Sequence, residues 1–220
     1  MPGQFKNTGT NPEGRAFFCT QDTEIYLYQT IFSVAGSPPP SGVWTSGGAL
    51  STGRYGLAGA GTNTAALAFG GYAVPAALAC TETYNGSTWS SGGAMITARQ
   101  YLAGAGISTA ALAFGGAATL TPGDVLACTE CYNGSAWSNC SAMITARFYL
   151  AGAGASGTSA LAFGGSTPTA LACTETYNGT TWAAGGALST GRYQLAGAGT
   201  NAAALAFGGY YGLTCTESYN

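Results

Sequence analysis

Short runs of apolar and small residues, interrupted every few positions by glycine and small polar residues, recur along most of this chain. One unit reads, from Arg54, R-Y-G-L-A-G-A-G-T-N-T-A-A-L-A-F-G-G, then a variable stretch, then A-C-T-E-T-Y-N-G-S-T-W-S-S-G-G-A-M. It holds four β-prone runs: a, Leu57 to Gly61; b, Ala66 to Phe69; c, Cys80 to Tyr84; and d, centred on Trp89. Between c and d stands Asn85-Gly86, repeated as Asn133-Gly134 and Asn178-Gly179. That pair suits a tight type I′ hairpin turn, which needs positive φ at both positions. The 3.6-residue periodicity of an amphipathic helix is absent, so the predicted elements are strands joined as antiparallel hairpins.

The period is carried by Trp44, Trp89, Trp137 and Trp182, and by Gly-Gly pairs starting at Gly70, Gly115, Gly164 and Gly208. A four-stranded antiparallel unit of about 45 residues in tandem has the size of one propeller blade. In order, the motif is a Gly-Gly pair closing the second strand (Gly70-Gly71), Glu82 and Tyr84, Trp89, and Arg99 opening the next unit. Over residues 41 to 220 this resembles the kelch repeat. The resemblance implies an all-β, four-bladed kelch-like β-propeller, preceded by an N-terminal extension over residues 1 to 40. It also implies closure by pairing of the terminal strands: the run holding Trp44 would complete the blade begun by residues 193 to 220. Ala-Gly-Ala-Gly in every run a, at 58 to 61, 103 to 106, 151 to 154 and 196 to 199, suits strands crowded around a narrow axis.

Charge is sparse. Lys and Arg number 6, Asp and Glu 8, and histidine is absent. No basic stripe exists to neutralise phosphates, which argues against nucleic acid as a partner. No apolar run of eighteen residues is present, and Met1-Pro2-Gly3-Gln4-Phe5-Lys6 lacks the apolar core of a signal peptide, so membrane insertion and export are not expected. Each repeat carries one arginine (Arg54, Arg99, Arg147, Arg192) and one glutamate (Glu82, Glu130, Glu175, Glu217). A lone buried charge is costly, so these are expected to be structural ion pairs.

The alternative, an arginine ring for an anionic sugar as in sialidases, needs unlike residues from several blades, whereas these arginines are equivalents. Glycoside hydrolysis needs two differentiated carboxylates, and the repeated glutamates are not differentiated. Without histidine, neither a Ser-His-Asp triad nor a copper site like that of galactose oxidase can be built. The expectation is no enzyme, no catalytic residue, no metal and no cofactor. The Asn-Gly-Ser/Thr triplets are glycosylation sequons in form, but a turn explains them. Cys80, Cys128, Cys173 and Cys215 hold one equivalent position each and are expected to be free thiols. Cys140 could meet Cys128 across a hairpin, with Cys131 competing, one residue of register deciding. A mostly unpaired set suggests folding in a reducing compartment.

The links between runs b and c vary in length and content while the others stay nearly constant. In a meander these links share one face, where a repeat scaffold can vary without harming its core. Tyr72, Thr119, Asp124, Thr167, Tyr210 and Tyr211 are therefore the candidate binding residues. The first forty residues include E-I-Y-L-Y-Q-T-I-F-S-V from Glu24 and the triple proline at 38 to 40, read as an attachment arm with one strand and a stiff spacer.

The repeat style also resembles that of structural proteins inferred for phages of aquatic bacteria. That implies a non-enzymatic component of a virus particle: a phage fibre, tail-tip or head-decoration protein that folds in the host cytoplasm and resides in the virion. The expected partners are other virion subunits, in a homo-oligomer, and a cell-surface glycan or protein. The alternative is a bacterial extracellular filament subunit or carbohydrate-binding surface protein.

Overall fold

The computed structural model describes residues 6 to 10, 16 to 19 and 46 to 220, apart from 120, 122 and 211. The chain divides into two compact units, Met1–Ser46 and Gly47–Asn220. In the first, β1 (Lys6–Thr10) pairs antiparallel with β2 (Ala16–Cys19). The expected strand from Glu24 to Val34, the triple proline and Trp44 lie outside the described residues.

The second unit is all-β among the described residues, four blades in a propeller arrangement. The first blade is β3 (Ala58–Gly61), β4 (Ala66–Phe69), β7 (Thr81–Tyr84) and β8 (Trp89–Ser91), with a small hairpin of β5 (Tyr72–Ala73) and β6 (Ala76–Ala77) in its link. The second is β9 (Ala103–Ile107), β10 (Ala110–Phe114), β11 (Thr129–Tyr132) and β12 (Trp137–Cys140). The third is β13 (Ala151–Ser156), β14 (Ser159–Phe163), β15 (Thr174–Tyr177) and β16 (Trp182–Ala184). The fourth has three described strands, β17 (Ala196–Gly199), β18 (Ala204–Phe207) and β19 (Thr216–Tyr219). Each blade is an antiparallel meander, and the Ala-Gly strands β3, β9, β13 and β17 pack side by side in that order.

The reason those inner strands contain glycine is steric. A Cβ on Gly104 would stand 2.7 Å from Cζ of Phe69 in the preceding blade and 2.8 Å from the Gly59 carbonyl oxygen. Phe69 and Phe114 are fully buried in this way, each ring lying against the inner strand of the next blade. Leu67, Leu112 and Leu161, on the same faces, are equally sequestered. Blade-to-blade burial of apolar area is therefore the main stabilising term.

Local geometry corrects one expectation and settles one open pairing. The c-to-d turns are not two-residue type I′ turns: Tyr84 pairs with Trp89, leaving a four-residue loop, and Asn85 does not take positive φ although Gly86 does, at 95°. The Asn85 side chain instead accepts the backbone N–H groups of Ser87 and Thr88, both at 2.9 Å, an Asx-type closure. Cys140 bonds to Cys131, not to Cys128. The register sets Cys140 opposite Thr129 on the face that Cys131 shares, with 5.9 Å between the two Cα atoms, while Cys128 points to Arg99. Cys80, Cys128, Cys173 and Cys215 are free thiols.

Candidate functional site

The arginines and glutamates sit inside the blades. Arg99 is fully buried; its Nη2 meets Glu130 Oε1 at 2.9 Å, and its Nη1 donates to the Cys128 carbonyl at 2.8 Å. Glu130 in turn accepts the N–H groups of Ile96, at 2.7 Å, and Thr97, at 3.1 Å. Arg147 and Glu175 repeat the arrangement at 2.9 Å, and Arg54–Glu82 and Arg192–Glu217 are paired as well. The pair thus staples the segment entering each blade to that blade's second and third strands. Burial opposes ionisation of Glu82, but the Ser51 amide and the Arg54 guanidinium overcome it and hold the carboxyl below the usual carboxylate range. For Glu217 the Ser189 N–H is the leading cause of the same downward shift. The four arginine side chains are buried, each paired with the glutamate of its own blade, while the Glu217 side chain keeps some contact with solvent.

The face that carries the variable links is built differently. Two residues beyond each arginine stand Gly56, Tyr101, Tyr149 and Gln194, all with positive φ, between 53° and 63°. Their backbones form a ladder from blade to blade: the N–H groups of Tyr101, Tyr149 and Gln194 donate to the carbonyls of Gly56, Tyr101 and Tyr149 at 2.7, 2.9 and 2.9 Å. A left-handed conformation is natural for glycine and disfavoured for tyrosine. The rings of Tyr101 and Tyr149 lie 4.1 Å apart between centroids, and Tyr55 and Tyr193 flank them at 6.2 and 6.1 Å. Burial, followed by contact with the Tyr149 hydroxyl, pushes the Tyr101 phenol up to about 12.

Around this row of tyrosines stand the links. Each residue directly after an arginine bridges to the start of its own blade's link: Tyr55 to Tyr72, Gln100 to Ala117, Phe148 to Ser166, with Tyr210 donating to the Tyr193 carbonyl. Two grooves result. One, of about 340 Å³, is lined by Tyr55, Tyr72, Pro75, Gln100 and Thr119; the buried Gln100 Oε1 has no hydrogen-bond partner among the described residues. The other, of about 250 Å³, is lined by Thr119, Thr121, Val125, Phe148, Thr167 and Pro168.

The structure therefore gathers Tyr72, Thr119 and Thr167 at two neighbouring grooves. Asp124 lies beside them but is occupied: its carboxylate accepts the hydroxyls of Thr119 and Thr121, which lower its pKa. Tyr210 is exposed on the fourth blade's link, stacked 4.9 Å from Tyr193. Tyr211 lies outside the described residues. Sequence reasoning missed Tyr55, Gln100, Tyr101, Phe148 and Tyr149. Their signal was present: the two positions after each arginine are the variable ones in an otherwise constant stretch.

This face offers aromatic walls and hydroxyls, with almost no charge. Such a surface recognises by stacking and neutral hydrogen bonds. Among the described residues no cluster of three His, Cys, Asp or Glu side chains could hold a metal ion. Comparison with protein-family models and with curated proteins finds no match.

Proposed function

We propose that this chain is a non-enzymatic structural and binding component of a virus particle, a kelch-like propeller of a phage fibre, tail tip or head decoration that presents its link face to a neutral glycan or protein surface. One observation carries the reading: the residues that vary between otherwise near-identical repeats converge on one face, around a strained row of tyrosines. A scaffold whose variation is confined to one face uses that face for contact. The near absence of unpaired charge on the rest of the propeller suits packing within an assembly rather than life as a dispersed protein. The kelch-like motif order and the phage-like repeat style agree with that setting.

The second reading is a bacterial extracellular filament subunit or carbohydrate-binding surface protein, and the Cys131–Cys140 disulfide favours it, since such bonds persist in oxidising surroundings. One experiment tests the shared claim. The full chain is applied to an array of neutral oligosaccharides and to intact bacterial cells, beside a variant in which the three longer links are replaced by the shortest, Tyr210 to Thr214. Binding by the parent and none by the folded variant supports the reading. Equal binding by both, or by neither, removes the link face as the contact surface.

A further inference from the structure

Eight of the nine charged side chains in the second unit belong to the four Arg–Glu pairs, and the ninth is Asp124. No cation pairs with it among the described residues. It stands on the longest of the variable links, between Gly123 and Val125, which both line the groove walled by Phe148 and Pro168. The link fixes its position: the Asp124 N–H donates to the Thr121 carbonyl at 3.2 Å, and its own carbonyl accepts the Ala118 N–H at 3.1 Å. The hydroxyls of Thr119 and Thr121 both donate to one carboxylate oxygen, Oδ2, and hold the carboxyl below its ordinary range, so it is ionised at neutral pH. The other oxygen, Oδ1, accepts from no described residue.

An ionised carboxylate oxygen with free lone pairs makes charge-assisted hydrogen bonds, the stronger class, to any hydroxyl that reaches it. Around Asp124 the face supplies no cationic donor, because the arginine side chains are inside the blades. What it supplies is apolar wall on both sides of the link. Thr119 lines both grooves, so the link is the ridge between them: Phe148, Val125 and Pro168 on one side, Tyr55, Tyr72 and Pro75 on the other. The ligand that complements this has rings with an apolar face and a rim of hydroxyl donors, and it carries no negative charge, which Asp124 would repel. That is the chemistry of an uncharged sugar chain. A lysine or arginine side chain would satisfy the carboxylate alone, and a single solvent-accessible ion pair contributes little; hydroxylated rings use the carboxylate and both walls together.

We propose that Asp124 anchors an uncharged glycan of at least two rings laid across the link of the second blade. Adjacent hydroxyls of one ring donate to Oδ1 while that ring packs against Phe148, and the next ring packs against Tyr72 in the neighbouring groove. Thr119 and Thr121 are positioning residues: by taking Oδ2 they fix the carboxylate's plane and leave Oδ1 for the ligand. This rests on the link-face reading proposed above and deepens it, naming the ligand class and the residue that selects it. Two properties follow, discrimination against glycans that carry a carboxylate and a gain in affinity from one ring to two.

The test is calorimetric titration of the full chain and two variants, with circular dichroism as the check on folding. The probes are the neutral oligosaccharides that the parent binds on the array, their single-ring fragments and their carboxylate-bearing counterparts, beside a lysine-rich peptide. Asp124→Asn removes the charge but keeps an oxygen for the threonine hydroxyls; it is expected to weaken neutral-glycan binding roughly 10- to 100-fold, the scale of a hydrogen bond to a charged group, with the melting temperature unchanged. Tyr72→Leu is expected to bring two-ring probes down to the affinity of single rings and to leave the single rings as they were. Equal binding by Asp124→Asn and the parent overturns the proposal. So do single rings or carboxylate-bearing glycans that bind as tightly as the neutral two-ring probes, or capture of the lysine-rich peptide in place of a glycan. If the array yields no neutral glycan while the parent holds cells and the link-replaced variant does not, the link-face function stands and this proposal falls. Should Asp124→Asn fail to fold, Tyr72→Leu and the carboxylate-bearing probes decide by the same outcomes.

Discussion

Trp137 lies across Phe69 of the neighbouring blade with 4.9 Å between ring centroids and donates its indole N–H to Thr81 at 2.9 Å. The contact joins residues 68 apart in sequence, so it reports on the blade junction rather than on either blade alone. Trp137→Ala is expected to cost about 3–5 kcal/mol, the range for deleting a large buried aromatic. Thr81→Val should cost about 1–3 kcal/mol by orphaning the indole donor. Urea denaturation checks both, and a double mutant well short of additive would confirm that they act as one contact.

The buried arginines give a second expectation. Arg99→Met leaves Glu130 buried without its cation and is expected to destabilise by about 3–5 kcal/mol. Adding Glu130→Gln to it should restore part of the loss, because the stranded charge is then removed. At Arg192 the effect should be smaller, since the Glu217 side chain is 24% exposed and water can take over. Thermal melts of the three variants decide the order.

Acid stability follows from the glutamates. The Glu82 and Glu217 carboxyls are held below their ordinary range in the folded protein. Their contribution to stability is thus complete above the unfolded value, about 4.3, and is lost as pH falls through the lower folded values. The melting temperature should drop on acidification below about pH 4, and Glu82→Gln should flatten that drop while lowering stability at neutral pH. A profile unchanged by the substitution would refute the assignment.

How much of this could be read from the chain depends on whether the cause was repeated. The blades were legible because tryptophans recur with Gly-Gly pairs, and Trp137 and Trp182 do the same steric task at two successive blade junctions. The Arg–Glu partners could be matched because one of each occurs per repeat. The c-to-d turn was misread because Asn-Gly alone does not count loop residues; the register of Tyr84 on Trp89 does. Cys131 and Cys140 were undecided for the same reason, since one residue of register changes which side chains share a face. The tyrosine row was marked in the sequence only as variation after each arginine; that Gly56, Tyr101, Tyr149 and Gln194 share a positive φ is what the backbone adds.

That row supports the last expectation. Tyr149 holds φ at 55°, a conformation that costs a non-glycine residue of order 1–3 kcal/mol. The first blade meets the same backbone requirement with Gly56, so the fold itself accepts glycine there, and at that position a Cβ would strike the Tyr101 ring at 2.8 Å. Strain retained in the middle of the array, where a cheaper residue would serve, is explained if the rings form the floor of the binding face. Tyr149→Gly is therefore expected to leave the melting temperature unchanged or raise it slightly, while abolishing binding to whichever oligosaccharide or cell surface the parent retains. Tyr149→Phe, which keeps the ring, should bind nearly as the parent does. If the glycine variant instead melts several degrees lower, the stacked rings are a staple across the blades, and the contact surface must be sought in the outer parts of the links, around Thr119 and Thr167.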